Sequence, residues 1–592
     1  MSHQISDATA AISTSKQRSD GFIWGARVIS TVTILLVVVP LALMVWKLFL
    51  PDGRFNLSAF GDLLSQPWLG KMLGDTLIVV ASGVVSSMVV GSVFAWLTER
   101  TNARIGWLSR LLPLLPLFMP PLASAIGWVL LATPGPGVLN VWSRELGALF
   151  GMDVAPNGPF NVFTWTGVIL LYMVALVPQV YLVVAAALRN VEPSIEEASR
   201  VSGVGPLRTL VKVTLPAIRP SLISAALLAM ASAFSLFSVP FLIGTTAGVD
   251  NLIVRVVRIT TDEFPARTDV ASALGLIVVF FIGGSWLLQR RVNRLARHAR
   301  LEGKTSSAST IDLGWFRWPA RIILIAYIAA TSLLPLYGLV SVALQSFWSG
   351  EITPKNFTLK NFAAIFDPSK NLFNSLANSL VLGVLTALVA MFVAMVVGYY
   401  GERRPRSWLA RIADGVIKLP AALSHVIVAL ALIIAFVGPP FRLQGTLILL
   451  FIGYFVLYLP QASVSANAAL SQLGPILTEA SLVSGAGEMR TFFRIVLPLM
   501  GPGMVAGWVM VFVLAAGDLT ASVMLASPRS PVVGFVMLDL STSGTYGSVA
   551  ALGVVITLLN AVVGGAVTGI GQTLGKRTVA PSRRLLQIQR SA

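Results

Sequence analysis

At roughly 150 residues per domain, 592 residues would make about four soluble domains. However, 55% of the chain is hydrophobic, 11% is charged and the mean hydropathy is +0.81, which leaves too little polar surface to coat them. The net charge of +18 does not mark a nucleic-acid partner, because the Lys and Arg residues sit beside the ends of apolar segments, a placement that suits anionic lipid and membrane topology. Cysteine is absent, which excludes disulfides, thiolate metal sites and thiol chemistry.

A hydrocarbon core of about 30 Å takes about 20 apolar residues to cross as a helix. Twelve segments qualify, at about 28–48, 74–97, 111–132, 164–188, 221–244, 270–289, 321–346, 376–400, 413–437, 446–469, 503–526 and 547–571. Lys16, Arg18 and Arg27 precede the first of these as in a signal peptide. Its apolar stretch is too long for a cleaved segment and no small-residue cleavage site clearly follows, so it is expected to stay as an anchor. With Lys47, Arg321 and Lys418, which fall inside span ends, assigned to the nearer face, the N-terminal tail, the even-numbered connections and the C-terminal tail hold 31 of the 43 Lys and Arg residues, and the odd-numbered connections hold 12. The positive-inside rule therefore predicts that both termini are cytoplasmic. The densest clusters run from Arg290 to Arg300 and from Arg403 to Arg411.

Comparison of the chain with itself reveals a repeat. Glu197 to Pro220 (EASRVSGVGPLRTLVKVTLPAIRP) and Glu479 to Pro502 (EASLVSGAGEMRTFFRIVLPLMGP) are identical at 12 of 24 positions, at a constant offset of 282. The register continues upstream, pairing Tyr172, Pro178, Gln179 and Pro193 with Tyr454, Pro460, Gln461 and Pro475. A weaker match pairs Thr98, Glu99 and Arg100 with Gly401, Glu402 and Arg403. Six predicted spans separate the two strong copies, so both copies face the same side and the repeats are parallel. The organisation that follows is a cytoplasmic tail (1–27), a first half (28–292, core 72–290), a polar linker (293–318) containing LEGKTSSASTIDL, a second half (319–572, core 374–572) and a basic cytoplasmic tail (573–592).

The repeated segment carries charges throughout and is not itself a span. Glu-Ala-Ser favours a short helix, Ser-Gly-x-Gly ends it through a residue free to take positive φ, and a second short helix from about Leu207 or Met489 must stop or bend at Leu215-Pro216 or Leu497-Pro498. The predicted product is a helix, turn, helix lying flat at the cytoplasmic surface, a shape that can dock in a partner and pass on displacement. A plain amphipathic connection in the headgroups is the alternative. Half identity between copies whose neighbouring spans have diverged much further speaks against it.

Both segments resemble the "EAA" loop of binding-protein-dependent ABC importer permeases. Glu197-Ala198-Ser199 with Gly203 and Pro216, and Glu479-Ala480-Ser481 with Gly485 and Pro498, fit that pattern, with Ser in place of the second Ala. The resemblance implies an all-α integral membrane protein of about 12 transmembrane helices in two parallel six-helix repeats, the type I ABC importer transmembrane fold, in a bacterial inner membrane. It implies as partners two copies of a cytoplasmic ABC ATPase, one seated on each loop, and a periplasmic substrate-binding protein. The chain itself would bind no cofactor, with ATP and magnesium on the ATPase subunits, and would not be an enzyme.

Other motifs carry less. Gly303-Lys304-Thr305 lacks the leading glycine and preceding strand of a phosphate loop. His3, His298 and His425 are too scattered for a metal cluster. Asp75 and Asn378 sit where a span begins and read as helix caps. Within the apolar spans, Asp518 and His425, together with Gln179 and Gln461, are the candidates for the substrate path, although a neutral imidazole bonded between helices also explains His425. Val239 to Gly248 and Asp518-Leu519-Thr520-Ala521 are similar to segments of the fused ferric-iron permeases, the latter with Asp for Glu. Ferric iron is therefore the first expectation for cargo. Relatives of this build also carry 2-aminoethylphosphonate or thiamine. A secondary transporter without an ATPase would need embedded acids, of which Asp518 is the lone deep example, and a membrane enzyme would need a convergent catalytic set, which the sequence does not offer.

Overall fold

The structure is a computed structural model and describes residues 2–51, 53–106, 115–116, 118–263, 266–298, 310–349, 355–473 and 475–566. The first half contains α1 (Ser2–Phe49), α2 (Leu69–Arg100), α3 (Pro121–Ala132), α4 (Val138–Leu149), α5 (Trp165–Arg189), α6 (Pro193–Val201), α7 (Arg219–Ser235), α8 (Leu252–Thr261) and α9 (Thr268–His298). The second contains α10 (Gly314–Ala343), α11 (Asn371–Arg403), α12 (His425–Phe436), α13 (Leu447–Leu473), α14 (Pro475–Val483), α15 (Gly501–Ala516), α16 (Thr520–Leu525), α17 (Val533–Thr542) and α18 (Tyr546–Ala566). Eight described helices are long and apolar enough to cross a bilayer, or up to eleven if each of three bent pairs counts as one span.

The departures from twelve continuous spans have local causes. At the predicted third span, only α3 is described after the Pro120-Pro121 pair, and residues 107–114 and 117 lie outside the described residues. The predicted fifth span ends as an α-helix at Ser235, and a wide turn follows over Pro240–Gly244. The predicted ninth span bends by 113° between Trp408–Ala422 and α12. The eleventh breaks at Gly517-Asp518-Leu519 between α15 and α16. Much of the predicted linker, 299–309, and the predicted basic tail also lie outside the described residues.

The first helix of each half packs against the other half. α1 lies on α12 and on the Trp408–Lys418 helix, and α10 lies on α3. Ala320 and Leu324 of α10 are buried in one apolar cluster with Phe94 of α2 and Tyr181 of α5. The linker's end is tied down as well: Ile311 N donates to Arg100 O (2.8 Å), Asn102 N donates to Ile311 O (3.0 Å), and Asn102 also bonds the Asp312 side chain.

Asp75 and Asn378 do not cap the spans, which begin a turn or more earlier at Leu69 and Asn371. They clamp the connection that follows the fifth or eleventh span. Asp75 Oδ2 accepts from Asp250 N (3.0 Å) and Lys71 Nζ (3.0 Å), and Asn378 Nδ2 donates to Pro531 O (2.8 Å). The neighbouring hydroxyls do cap helices, but distant ones. Thr76 Oγ1 accepts from Leu252 N at the start of α8 (3.0 Å), and Ser379 Oγ accepts from Val533 N at the start of α17 (2.8 Å).

Candidate functional site

Both copies of the repeat fold into two short helices around a glycine. In the first, α6 ends at Gly203 with φ +79°, and Val204 N donates back to Ser199 O (3.2 Å). In the second, α14 ends at Gly485, also with φ +79°, and Ala486 N donates to Ser481 O (3.1 Å). This bond across the helix end is the one a left-handed cap makes, and it requires a residue without a Cβ penalty at positive φ.

The serine that departs from the Glu-Ala-Ala pattern ties the two short helices together. Ser199 and Thr209 share a hydroxyl hydrogen bond of 3.0 Å, and Ser481 and Thr491 share one of 2.9 Å. After each threonine the helix widens into one π turn, Leu210–Thr214 or Phe492–Val496, immediately before Leu-Pro. The widened turn gives room to the proline ring, which would crowd the carbonyl four residues back in a regular helix. The chain therefore continues through Pro216 and Pro498 and bends just after them, at Ile218 and Met500. The angles into the next span are 70° and 73°. Glu197, Ala198, Glu479 and Ala480 are exposed on the loop surface.

The loops differ in how they are fastened to the spans. In the first, Glu196, the neighbour of the motif acid, is buried. Its Oε1 accepts from Thr214 Oγ1 (2.8 Å), and its Oε2 pairs with Arg100 Nη1 (3.4 Å). Arg100 is fully buried at the end of α2, and its Nη2 also donates to Leu188 O (2.6 Å) and Val191 O (2.9 Å) at the end of α5. Beside it, Arg189 pairs with Glu99 at 2.6 Å. One guanidinium thus joins two span ends and a loop helix. In the second loop Thr478 replaces Glu196 and Val496 replaces Thr214. Phe492 is instead fully buried against Phe22 of α1 (ring centroids 5.1 Å) and Tyr399 of α11 (5.4 Å), and Glu488 pairs with the half-exposed Arg404 at 3.6 Å.

A second polar group lies at the break between α15 and α16. Asp518 is buried; its Oδ2 accepts from Ala521 N (2.9 Å) and Ser522 N (3.2 Å), which caps α16. Its Oδ1 accepts from Tyr458 Oη (2.7 Å) and lies 3.8 Å from His425 Nδ1, and the His425 and Tyr458 rings meet edge to face at 5.8 Å. Tyr454, one turn before Tyr458, bonds Ser522 Oγ at 2.7 Å. The bend that starts α12 is what carries His425 to Asp518. Gln179 accepts from Ser232 (2.8 Å) and Gln461 Oε1 is buried without a partner, so neither joins this group among the described residues.

Sequence reasoning did not find Arg100, Glu196, Thr209, Thr491 or Tyr458. A signal for the first existed in the weak match of Glu99-Arg100 with Glu402-Arg403. Glu196 was hidden because two adjacent acids precede Ala198, and only packing tells which one is buried.

Residues 87–295 and 388–576 match the family described as "Binding-protein-dependent transport system inner membrane component". A relative from Actinobacillus pleuropneumoniae, "Ferric transport system permease protein FbpB", is 24% identical over 561 residues, covering 92% of this chain and 78% of the relative. Another from Sinorhizobium fredii, "Probable ABC transporter permease protein y4fN", is 27% identical over 559 residues, 91% of this chain and 94% of the relative. A "Putative 2-aminoethylphosphonate transport system permease protein PhnV" of Salmonella paratyphi A is 26% identical over 248 residues, covering 41% of this chain and 91% of the relative. Among solved structures, a bacterial ABC transporter involved in the import of the acidic polysaccharide alginate matches with 16% identity and a TM-score of 0.37, covering 48% of this chain and 99% of that one.

Proposed function

Since this chain belongs to the family of binding-protein-dependent transport system inner membrane components, we propose that it is the translocating subunit of an ATP-driven importer and that its two loops are the seats of the motor. One cytoplasmic ABC ATPase sits on Pro193–Ala217 and a second copy on Pro475–Leu499, with ATP and magnesium held by those subunits. A periplasmic binding protein delivers the cargo, and both termini lie in the cytoplasm. The observation that carries this reading is the duplicated, glycine-hinged loop wired through Pro216 and Pro498 into a sharply bent span. A displacement of either loop levers the span beyond it, and closure of the ATPase pair switches access from one side to the other.

Ferric iron is the cargo this reading favours. The ferric relatives align along most of the chain. The break in the span carries a buried carboxylate with two phenols and an imidazole around it (Asp518, Tyr458, Tyr454 and His425), a polar group on the path that a charged cargo would cross. The second reading is 2-aminoethylphosphonate, supported by the PhnV relatives, whose alignment covers a smaller share of the chain.

Uptake of radiolabelled ferric iron in a strain lacking this gene tests the cargo. The wild-type gene should restore uptake, and Asp518→Asn should not, although an ATPase still co-elutes with the variant. Iron accumulation unaffected by the deletion removes ferric iron, and labelled 2-aminoethylphosphonate is the next cargo to try. Uptake that resists vanadate, with no ATPase co-eluting, would replace the importer with a secondary transporter.

A further inference from the structure

One connection breaks the symmetry of the two halves. Residues 133–164 join α3 to α5 in the first half, whereas the much shorter stretch 437–446 joins α12 to α13 in the second. The extra length folds as α4 and a return loop. With 12 residues, about 18 Å of helix, α4 falls short of the roughly 20 residues that cross a hydrocarbon core.

The return loop is drawn onto one side of α4. Asn140 Nδ2 donates to Thr133 O (2.9 Å) and Phe160 O (2.8 Å), and its Oδ1 accepts from Phe160 N (2.8 Å). One turn on, Arg144 Nη1 donates to Gly135 O (3.0 Å) and Pro156 O (2.9 Å). Gly147 lies on the same side, where a Cβ would meet Val154 Cγ2 at 2.5 Å. Residues at i, i+4 and i+7 thus take up the loop, and the opposite side of the helix carries Trp142, Leu146 and Leu149, followed by Phe150. This second stripe is bare: Leu149 is 79% exposed and Phe150 75%.

What covers the stripe follows from where it begins. The Trp142 ring meets Tyr337 of α10 with centroids 5.2 Å apart. Tyr337 and Leu333, one turn apart on α10, are exposed on a helix long and apolar enough to span the membrane, and outward apolar side chains on a span face lipid. The stripe therefore continues a lipid-facing surface, and it does so at a Trp and Tyr pair of the kind that gathers at headgroup level. A receptor that docks and leaves would return four large apolar side chains to water in every cycle, whereas a lipid surface covers them throughout.

We propose that α4 lies in the outer headgroup layer, with Trp142, Leu146, Leu149 and Phe150 turned into the acyl boundary. There it anchors the end of α3, the first-half helix on which α10 packs. The proposal rests on the function given above only for the topology that makes this leaflet the outer one.

Because the chain has no cysteine, single cysteines report depth directly. Leu146→Cys, Leu149→Cys and, in the exposed return loop, Asn157→Cys are each introduced into the full-length permease, labelled with a nitroxide and placed in nanodiscs. Relaxation of the label by oxygen, which concentrates in lipid, is compared with relaxation by a water-soluble nickel chelate. Oxygen should dominate severalfold at 146 and 149, with an immersion of about 5–10 Å, and nickel should dominate at 157. Nickel dominating at 146 and 149 overturns the proposal. Labels that then become immobile on addition of the periplasmic binding protein mark a receptor dock instead, and labels that broaden one another's spectra mark contact between two copies. The side of the membrane is read separately, from reaction of Asn157→Cys with an impermeant maleimide on cells with a permeabilised outer membrane. No reaction there overturns the topology and leaves the depth measurement standing.

Discussion

At Glu196 the first loop sets a carboxylate against a guanidinium that is wholly removed from water. At the same register the second loop carries Thr478 over a hollow and is held by Phe492, packed between Phe22 and Tyr399. The backbone devices are common to both copies: the glycine at φ +79°, the serine–threonine bond and the Leu-Pro bend. What differs is the fastening. A turn at positive φ tolerates few residue types, whereas an attachment needs only enough free energy and can draw it from charge or from aromatic packing. The charge attachment is the more specific in geometry, because a buried guanidinium must satisfy several acceptors at once.

The sharpest way to break this comparison is at the guanidinium. Arg100→Ala leaves Glu196 buried without its ion-pair partner and should cost about 3–5 kcal/mol. Arg403→Ala in the second half should cost about 1 kcal/mol or less, as is usual for a partly exposed charge without a partner. Thermal unfolding of the two variants measures the difference, and equal losses would mean that the loops are fastened alike. Phe492→Ala tests the other side and should cost about 3 kcal/mol as a fully buried ring is removed. At the matching position, Leu210 is only half-buried, so Leu210→Ala should cost less.

Gly203→Val and Gly485→Val sharpen what the loops share. Nothing lies within 4 Å of a Cβ built at either glycine, so the expected cost of about 1–3 kcal/mol comes from positive φ alone and should be equal in the two halves. Expression and membrane insertion should survive while uptake falls; normal uptake in both variants would count against a lever. The smallest effect is expected from Ser199→Ala and Ser481→Ala. Each removes a single hydroxyl bond worth about 1 kcal/mol, and substrate-stimulated ATP hydrolysis by the reconstituted complex should fall only slightly in either.

Much of this architecture was legible because lipid imposes a simple rule. Backbone groups must be satisfied within the helix, so apolar length announces α2, α5, α11 and α13 almost to their ends. The repeat was equally plain, since Gly203 and Gly485 are each needed for the conformation of their own residue. Tertiary structure decided everything that depends on two distant segments meeting. It chose Glu196 over Glu197 as the buried acid and turned Asp75 and Asn378 from supposed caps into clamps on a loop about 150 residues or more away. By bending the chain 113° ahead of α12 it also brought His425 to Asp518. Local propensity is encoded residue by residue. The pairing of charges is set by which span ends the packing brings within a few ångströms of one another, and no single stretch of sequence records that.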